Sequence, residues 1–233
     1  MNYLDEIAKD FSVYDGMYHW TNIYQYQIFK EYFHGDSVLE LGCADGDNTK
    51  LLTQDFKKVT AIDGSKKALE KLKKRIKSKN LNTIHGYFED IQIDEKFDTI
   101  VMGHIMEHVV DPVLVMEKYK NNLTPNGRII ISVPNANSYH RIAAVKMGLL
   151  QSVYELNEND IKIGHRRVYD FPKLKKDIKK AGLKLIKREG YWIKLLPNIQ
   201  IQEQWSKDQI KVYMGMGRDY PEHAAEIIAI CSK

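Results

Sequence analysis

Between residues 37 and 133, five short apolar runs alternate with segments of helical character. The runs are SVLEL (37–41), KVTAID (58–63), NTIHGYF (82–88), FDTIVMG (97–103) and RIIISV (128–133). Strands and helices alternating at this spacing favour a parallel sheet with helices crossing over it. The fourth run is continuously apolar and the fifth is the most apolar of all, as expected of strands covered on both faces. The pattern predicts a doubly wound α/β chain.

Local signals place the helices. Residues 48–56 read as the first crossover helix. Ser65 is positioned to cap a lysine-rich helix in which Leu69, Leu72 and Ile76 mark one buried face. Asp111-Pro112 opens another, with proline in its first turn, and Pro125-Asn126-Gly127 reads as a turn. Asp170 caps a helix ending near Ala181 and closed by Gly182, with Leu174, Ile178 and Ala181 on its inner face. Residues 183–193 and 222–231 read as two late strands. Residues 134–169 carry few strand signals, and the polar stretch 197–221 is expected to be an insertion with one short helix. Residues 1–33 are rich in aromatics, including Phe11, Tyr14 and Phe29. They read as a helical lid with Tyr18, His19 and Trp20 at its tip.

Composition narrows the class. At 233 residues, 43% hydrophobic and 28% charged, the chain suits one α/β domain with modest insertions. The net charge is only +4, and the lysines of 66–79 fall on the solvent side of an amphipathic helix. They read as a solvated face rather than a nucleic-acid patch. Cys43 and Cys231 make no disulfide framework, and no metal-ligand spacing is present. No signal peptide or membrane span is read, so a reducing cytoplasm is the expected location.

The chemistry gathers at strand ends. Glu40-Leu41-Gly42-Cys43-Ala44-Asp45-Gly46 follows the first strand with spacing G-x-A-x-G. Glycines there let the backbone turn tightly and approach a ligand, at the edge where open α/β sheets bind nucleotides. Asp63 ends the second strand, where a carboxylate can accept ribose hydroxyls; Asp-Gly is also ordinary turn chemistry. Phe88-Glu89-Asp90 ends the third, offering an aromatic face and acceptors for an adenine. Each signal is modest alone, and their recurrence at successive strand ends carries the argument.

With GHIMEHVVDP (103–112) and SVPN (132–135), these motifs resemble the class I S-adenosylmethionine-dependent methyltransferases, in particular the ubiquinone-biosynthesis-like small-molecule enzymes. The resemblance covers roughly residues 35–185 in order, and E-H-V-x-D-P (107–112) is its most specific piece. It implies a Rossmann-like seven-stranded sheet, mostly parallel with helices on both faces and the last strand antiparallel. It implies one methyltransferase domain over 1–233, with a lid at 1–33, a cofactor core at 34–133 and substrate-side insertions at 134–169 and 197–221. S-adenosylmethionine would be the cofactor. By this resemblance Glu40 lies near its methionine amino group, while Gly42, Cys43, Ala44 and Gly46 shape the loop. Asp63, with Gly64 and Ser65, serves the ribose. Phe88 and Glu89 or Asp90 meet the adenine, Gly103 and His104 face the methionine and acceptor, and Tyr18 and Trp20 close from the lid. Ala44 departs from the glycine usual in the family.

Methyl transfer is an in-line displacement, in which alignment supplies much of the rate. A hydroxyl acceptor benefits from a base, and His104, His108 and His165 are the candidates. The acceptor site is expected among His19, Asn135, Tyr139, His140, Arg141, His165, Arg166, Arg167 and Tyr169. One of Arg166 and Arg167 is expected to read an anionic group on the acceptor, while the other braces the loop, against a carboxylate such as Glu155 or Asp160. The same stretch also reads as structural ion pairs. The expected partner is a small polar, phosphorylated or sugar-type metabolite that accepts a methyl on oxygen, with no nucleic acid and no membrane. The competing readings are a nicotinamide-dependent oxidoreductase, against which the glycine spacing speaks, and a non-catalytic nucleotide-binding subunit.

Overall fold

The structure is a computed structural model that describes residues 3–10, 12 and 16–233; Phe11 and Tyr14 lie outside the described residues. Its frame is one seven-stranded sheet. In chain order the strands are β1 (Ser37–Leu41), β2 (Lys58–Asp63), β3 (Leu81–His85), β4 (Phe97–Gly103), β5 (Leu123–Pro134), β6 (Lys184–Tyr191) and β7 (Glu226–Ser232). Across the sheet the order is β3-β2-β1-β4-β5-β7-β6. The first five strands pair in parallel, and β7 runs antiparallel to both β5 and β6.

The strands sort their side chains to two faces. Leu39, Leu41, Ile100, Met102, Ile129 and Ile131 pack on one side against α5 (Pro112–Lys120) and α8 (Phe171–Lys180), through Val115, Met116, Tyr119, Leu174 and Ile178. Val38, Val59, Val101, Ile130, Ile228 and Ile230 pack on the other. There they meet α2 (Gly16–Lys30), α3 (Asp47–Asp55) and α10 (Lys207–Asp219) through Ile28, Phe29, Leu52, Ile210 and Met214. Both faces of the central strands are therefore dry, which is why those strands read as unbroken apolar runs. Leu69 and Leu72 of α4 (Lys66–Arg75) bury beside Ala61 and Cys43, leaving the lysines outward.

The expected caps form. Ser65 accepts from the amide of Ala68, Asp111 from Leu114, and Asp170 from Lys173. Three expectations need correction. The third strand ends at His85, because Gly86 turns the chain at φ 156°, so Phe88-Glu89-Asp90 sits in the turn beyond it. Pro125-Asn126-Gly127 does not end an element. It lies within β5, where the register on β4 shifts between Phe97↔Leu123 and Thr99↔Arg128. The stretch 197–221 holds two helices, α9 (Asn198–Gln204) and α10, the second opened by a capping box between Ser206 and Gln209. Residues 134–169 add α6 (Tyr139–Lys146) and α7 (Glu158–Lys162). The N-terminal α1 (Tyr3–Asp10) lies on α4, where Asp5 accepts from the Ser65 hydroxyl at 2.7 Å. Among the described residues, no helix is long and apolar enough to cross a membrane.

Candidate active site

Among the described residues, three non-glycine residues adopt positive φ, and all three follow strands at the same sheet edge: Ala44 (45°) after β1, His104 (54°) after β4 and Trp192 (69°) after β6. Left-handed backbone costs L-residues roughly 1–2 kcal/mol each. Such strain concentrated at one edge marks a functional region.

The glycine turn is built for close approach. Gly42 has φ 74°, and a Cβ on it would lie 2.0 Å from Ile105 Cδ1. Phe88 reaches the same place, 3.8 Å from that Cβ position, so the turn after β3 does deliver its aromatic ring to the glycine loop. Gly46, at φ 98°, is the N-cap of α3. Asp63 ties the loop to β2: one carboxylate oxygen accepts from the amide of Ala44 at 2.9 Å, the other from Ser65 at 2.8 Å. Each oxygen keeps a lone pair for a further donor.

Acidic groups surround this loop. Glu40, Asp45 and Asp47 are buried. Thr49 donates to Glu40 at 2.5 Å, His19 pairs with Asp47 at 3.0 Å, and Arg75 pairs with Asp45. Burial, reinforced by the charges of Asp63 and Asp47 and opposed by the Thr49 hydrogen bond, raises the Glu40 carboxyl to about 8. Burial likewise raises Asp63, although two amides donate to it. So many carboxyl groups around a backbone cradle suit a ligand carrying positive charge close to a ribose.

Gly103 and His104 sit where β4 ends. A Cβ on Gly103 would be 3.1 Å from Gln25 Nε2. Gln25 is wholly buried on α2, its carbonyl oxygen accepting from Ser132 Oγ (3.0 Å) and the Tyr191 hydroxyl (2.9 Å). His104 Nδ1 lies 3.2 Å from Glu107 Oε1 and 3.9 Å from Glu226 Oε2. Burial pulls its imidazole down, but the carboxylates of Glu226 and Glu107 outweigh it and raise it to about 9. Lys194, beyond β6, places its ammonium 4.9 Å from the centre of the Trp192 ring. Burial lowers it to about 8 against the pull of Glu226 and Asp160.

Of the remaining expected residues, some are exposed and others have partners within the fold. Trp20 packs into the core of the α2 face, with Lys207 above its ring, and Tyr18 is partly exposed. Glu89 contributes its carbonyl to Lys118, and Asp90 is exposed. Asn135 donates to the carbonyls of Glu222 and Ala224, and Tyr169 donates to Asp177 from within the core. Arg141 is buried against Asp160 and the carbonyls of Val153 and Glu155. Tyr139 is exposed against His223, and burial drives His140 down to about 3. The division of labour expected of Arg166 and Arg167 is not found. Arg166 donates to the carbonyl of His108 through Nε, and Arg167 donates to those of Met106, Val109 and Val110. The Asp160 carboxylate pairs with Arg141 instead, and the Glu155 carboxylate accepts from the amide of Gln151. A carbonyl-rich turn suits donors in a fork, and the Arg167 guanidinium supplies one there, while Arg166 adds a single bond through Nε.

A family model described as a methyltransferase domain matches residues 22–188. The chain belongs to the class I S-adenosylmethionine-dependent methyltransferases. It is 26% identical over 161 residues to the mitochondrial ubiquinone biosynthesis O-methyltransferase of Schizosaccharomyces pombe, covering 63% of this chain and 59% of that protein. It is 26% identical over 147 residues to the malonyl-[acyl-carrier protein] O-methyltransferase of Priestia megaterium, covering 57% and 54%. The matched stretch thus spans little more than half of these relatives. In fold, a methyltransferase from Mesorhizobium loti superposes with a TM-score of 0.65 at 11% identity, covering 90% of this chain and 96% of that one. Gln25, Thr49, Lys194 and Glu226 belong to this candidate site by position and were not singled out by the sequence.

Proposed function

We propose that this methyltransferase methylates a hydroxyl of a small polar acceptor, seated where β4 ends and faced by His104, Gln25 and Lys194. The observation that carries the reading is His104. It stands at the strand end next to the glycine cradle, in strained backbone, held between the buried carboxylate of Glu107 and the partly buried one of Glu226. The cradle of Gly42, Asp63 and the buried Glu40 fits S-adenosylmethionine, whose sulfonium makes its methyl carbon electrophilic. Glu40 would hold the amino group, Asp63 the ribose hydroxyls and Phe88 a face of the adenine.

For the acceptor, the neutral form of His104 takes the hydroxyl proton, with Glu107 fixing the ring; because the two carboxylates raise the imidazole to about 9, kcat should climb with pH toward that value. General-base assistance of this kind contributes typically 10²–10⁴-fold. His108 and His165 are brought together beside Glu107, their ring centres 4.7 Å apart. The acceptor is a phosphorylated or sugar-type metabolite whose anionic group pairs with Lys194, since Arg167 is committed to the 106–110 turn and Arg166 is exposed with its Nε on the same turn. Two curated relatives named as O-methyltransferases support transfer to oxygen.

The test is incubation with S-adenosylmethionine and a panel of hydroxylated metabolites, with and without phosphate or carboxylate groups, following release of S-adenosylhomocysteine. Turnover confined to anionic hydroxylated acceptors, with kcat lowered at least 100-fold in His104→Gln and KM raised in Lys194→Met, supports the reading. Turnover only on amines, or full activity in His104→Gln, overturns it.

A further inference from the structure

We propose that Gln25 is a specificity-determining residue, whose amide donates to a carbonyl or carboxylate oxygen that the methyl acceptor carries beside the hydroxyl to be methylated. This rests on the reading of the site given above and adds to it the chemical class of the acceptor.

The sheet builds one polar layer on its α2 face. Side chains alternate along a strand, and Val101, Ile130 and Ile228 belong to the core on the α2 side. Gly103, Ser132 and Glu226 each stand two residues from one of these, toward the edge that carries the glycine turn, so they face α2 as well. Tyr191 pairs with Glu226 in register and joins the layer. His104, at φ 54°, departs from strand geometry, and its Nδ1 lies 3.9 Å from Glu226 Oε2.

Gln25 enters this layer from α2 with its amide already oriented. It is wholly buried, and Oε1 accepts from Ser132 Oγ at 3.0 Å and from the Tyr191 hydroxyl at 2.9 Å. Those two bonds use both lone pairs of the carbonyl oxygen, so the amide can only donate further. Nε2 is buried and has no hydrogen-bond partner among the described residues. It lies 3.1 Å from the position a Cβ on Gly103 would take. Any larger residue at 103 would press on the amide; glycine leaves its front open.

A buried donor without a partner is costly, and here two strands clamp it in place. His104 follows Gly103 directly, its Cα about 3.8 Å further on. A ligand whose hydroxyl meets His104 therefore brings its neighbouring group to Gln25. Two N–H donors with no acceptor match an oxygen that carries no proton, which is a carbonyl or a carboxylate. A hydroxyl there would hold a proton that the Gln25 amide cannot accept.

Ser132 and Tyr191 are positioning residues in this account. Gln25→Glu keeps an oxygen for both of them and exchanges the N–H donors for an acceptor. Gln25→Met removes the amide altogether. Tyr191→Phe combined with Ser132→Ala releases the clamp and leaves the amide free to turn.

The experiment is calorimetry on the full chain saturated with S-adenosylhomocysteine. The probes are glycerate, gluconate and their phosphate esters, each matched with the alditol, glycerol or glucitol, bearing the same phosphate. Wild type is expected to bind at least one hydroxycarboxylate about tenfold or more tightly than its alditol. Gln25→Glu and Gln25→Met should abolish that preference, and the Ser132–Tyr191 double variant should reduce it. S-adenosylhomocysteine affinity should be unchanged in all three, a result that loss of fold would not give. A wild type without the preference, or a preference retained in both Gln25 variants, overturns the proposal. So does a matching loss of S-adenosylhomocysteine affinity in Gln25→Glu, which would put the amide on the cofactor's carboxylate. Turnover of alditols alone would uphold methylation of a hydroxyl and still overturn the assignment of Gln25.

Discussion

The amide of Ala44, in left-handed backbone at φ 45°, donates to Asp63 Oδ2 at 2.9 Å. This bond couples the glycine turn after β1 to the carboxylate at the end of β2, so the loop and Asp63 form one unit. Its cost lies in Ala44, a residue with a Cβ in a conformation suited to glycine.

Ala44→Gly should therefore stabilise the protein by about 1 kcal/mol, through relief of left-handed strain, while S-adenosylhomocysteine affinity stays within about twofold. Chemical denaturation and calorimetry on the same samples check both. A loss of stability would show that the alanine methyl packs usefully.

Glu40 predicts a pH dependence. Its carboxyl is raised from an ordinary value of 4.5 to about 8 by burial, with Asp63 and Asp47 adding to it. A group whose pKa is raised on folding contributes stability that is complete below its unfolded value. That contribution is lost as pH climbs through the folded one. The ligand-free protein should thus lose stability between about pH 4.5 and 8, at up to about 1.4 kcal/mol per pH unit, and Glu40→Gln should flatten that part of the profile. Binding a cationic ligand near neutral pH should release a proton, visible as a dependence of the calorimetric enthalpy on the buffer's ionisation heat. Identical pH profiles for both proteins would contradict the assignment.

Arg167 is predicted to act through structure. Its guanidinium donates to three carbonyls of the 106–110 turn. Arg167→Lys cannot reproduce that fork and should cost about 1.5–3 kcal/mol of stability, with KM for the acceptor little changed. A tenfold rise in KM at unchanged stability would return Arg167 to the acceptor site.

The features legible in the sequence were those written within a few residues of one another. Asp63-Gly-Ser65, Asp111-Pro112 and the Gly42–Gly46 turn each announce a cap or turn locally, and apolar runs announce strands buried on both faces. Gln25 was illegible because its role exists only once α2 lies over the sheet: its partners Ser132 and Tyr191 are 107 and 166 residues away. Glu226 meets His104 from a strand on the far side of β5 in the same way. The structural partners of Arg166 and Arg167 were illegible for a related reason. Their chemistry suits an anion, but the turn they meet is made of carbonyls, which no residue type reveals. The second helix of 197–221 was legible in principle, through the Ser206–Gln209 capping box.

The central claim is that the cradle at the end of β1 and β2 holds S-adenosylmethionine, with Asp63 on its ribose. Titration calorimetry of the wild type and Asp63→Ala with S-adenosylhomocysteine, and of the wild type with NAD, tests it most directly. Both proteins should first be shown to be folded, since Asp63 also braces the amides of Ala44 and Ser65. The account predicts one S-adenosylhomocysteine per chain for the wild type and no NAD binding. It predicts a ten- to hundredfold loss of affinity in Asp63→Ala, about 1.5–3 kcal/mol of charged hydrogen bonding. NAD binding without S-adenosylhomocysteine binding, or unchanged affinity in a folded Asp63→Ala, would contradict it.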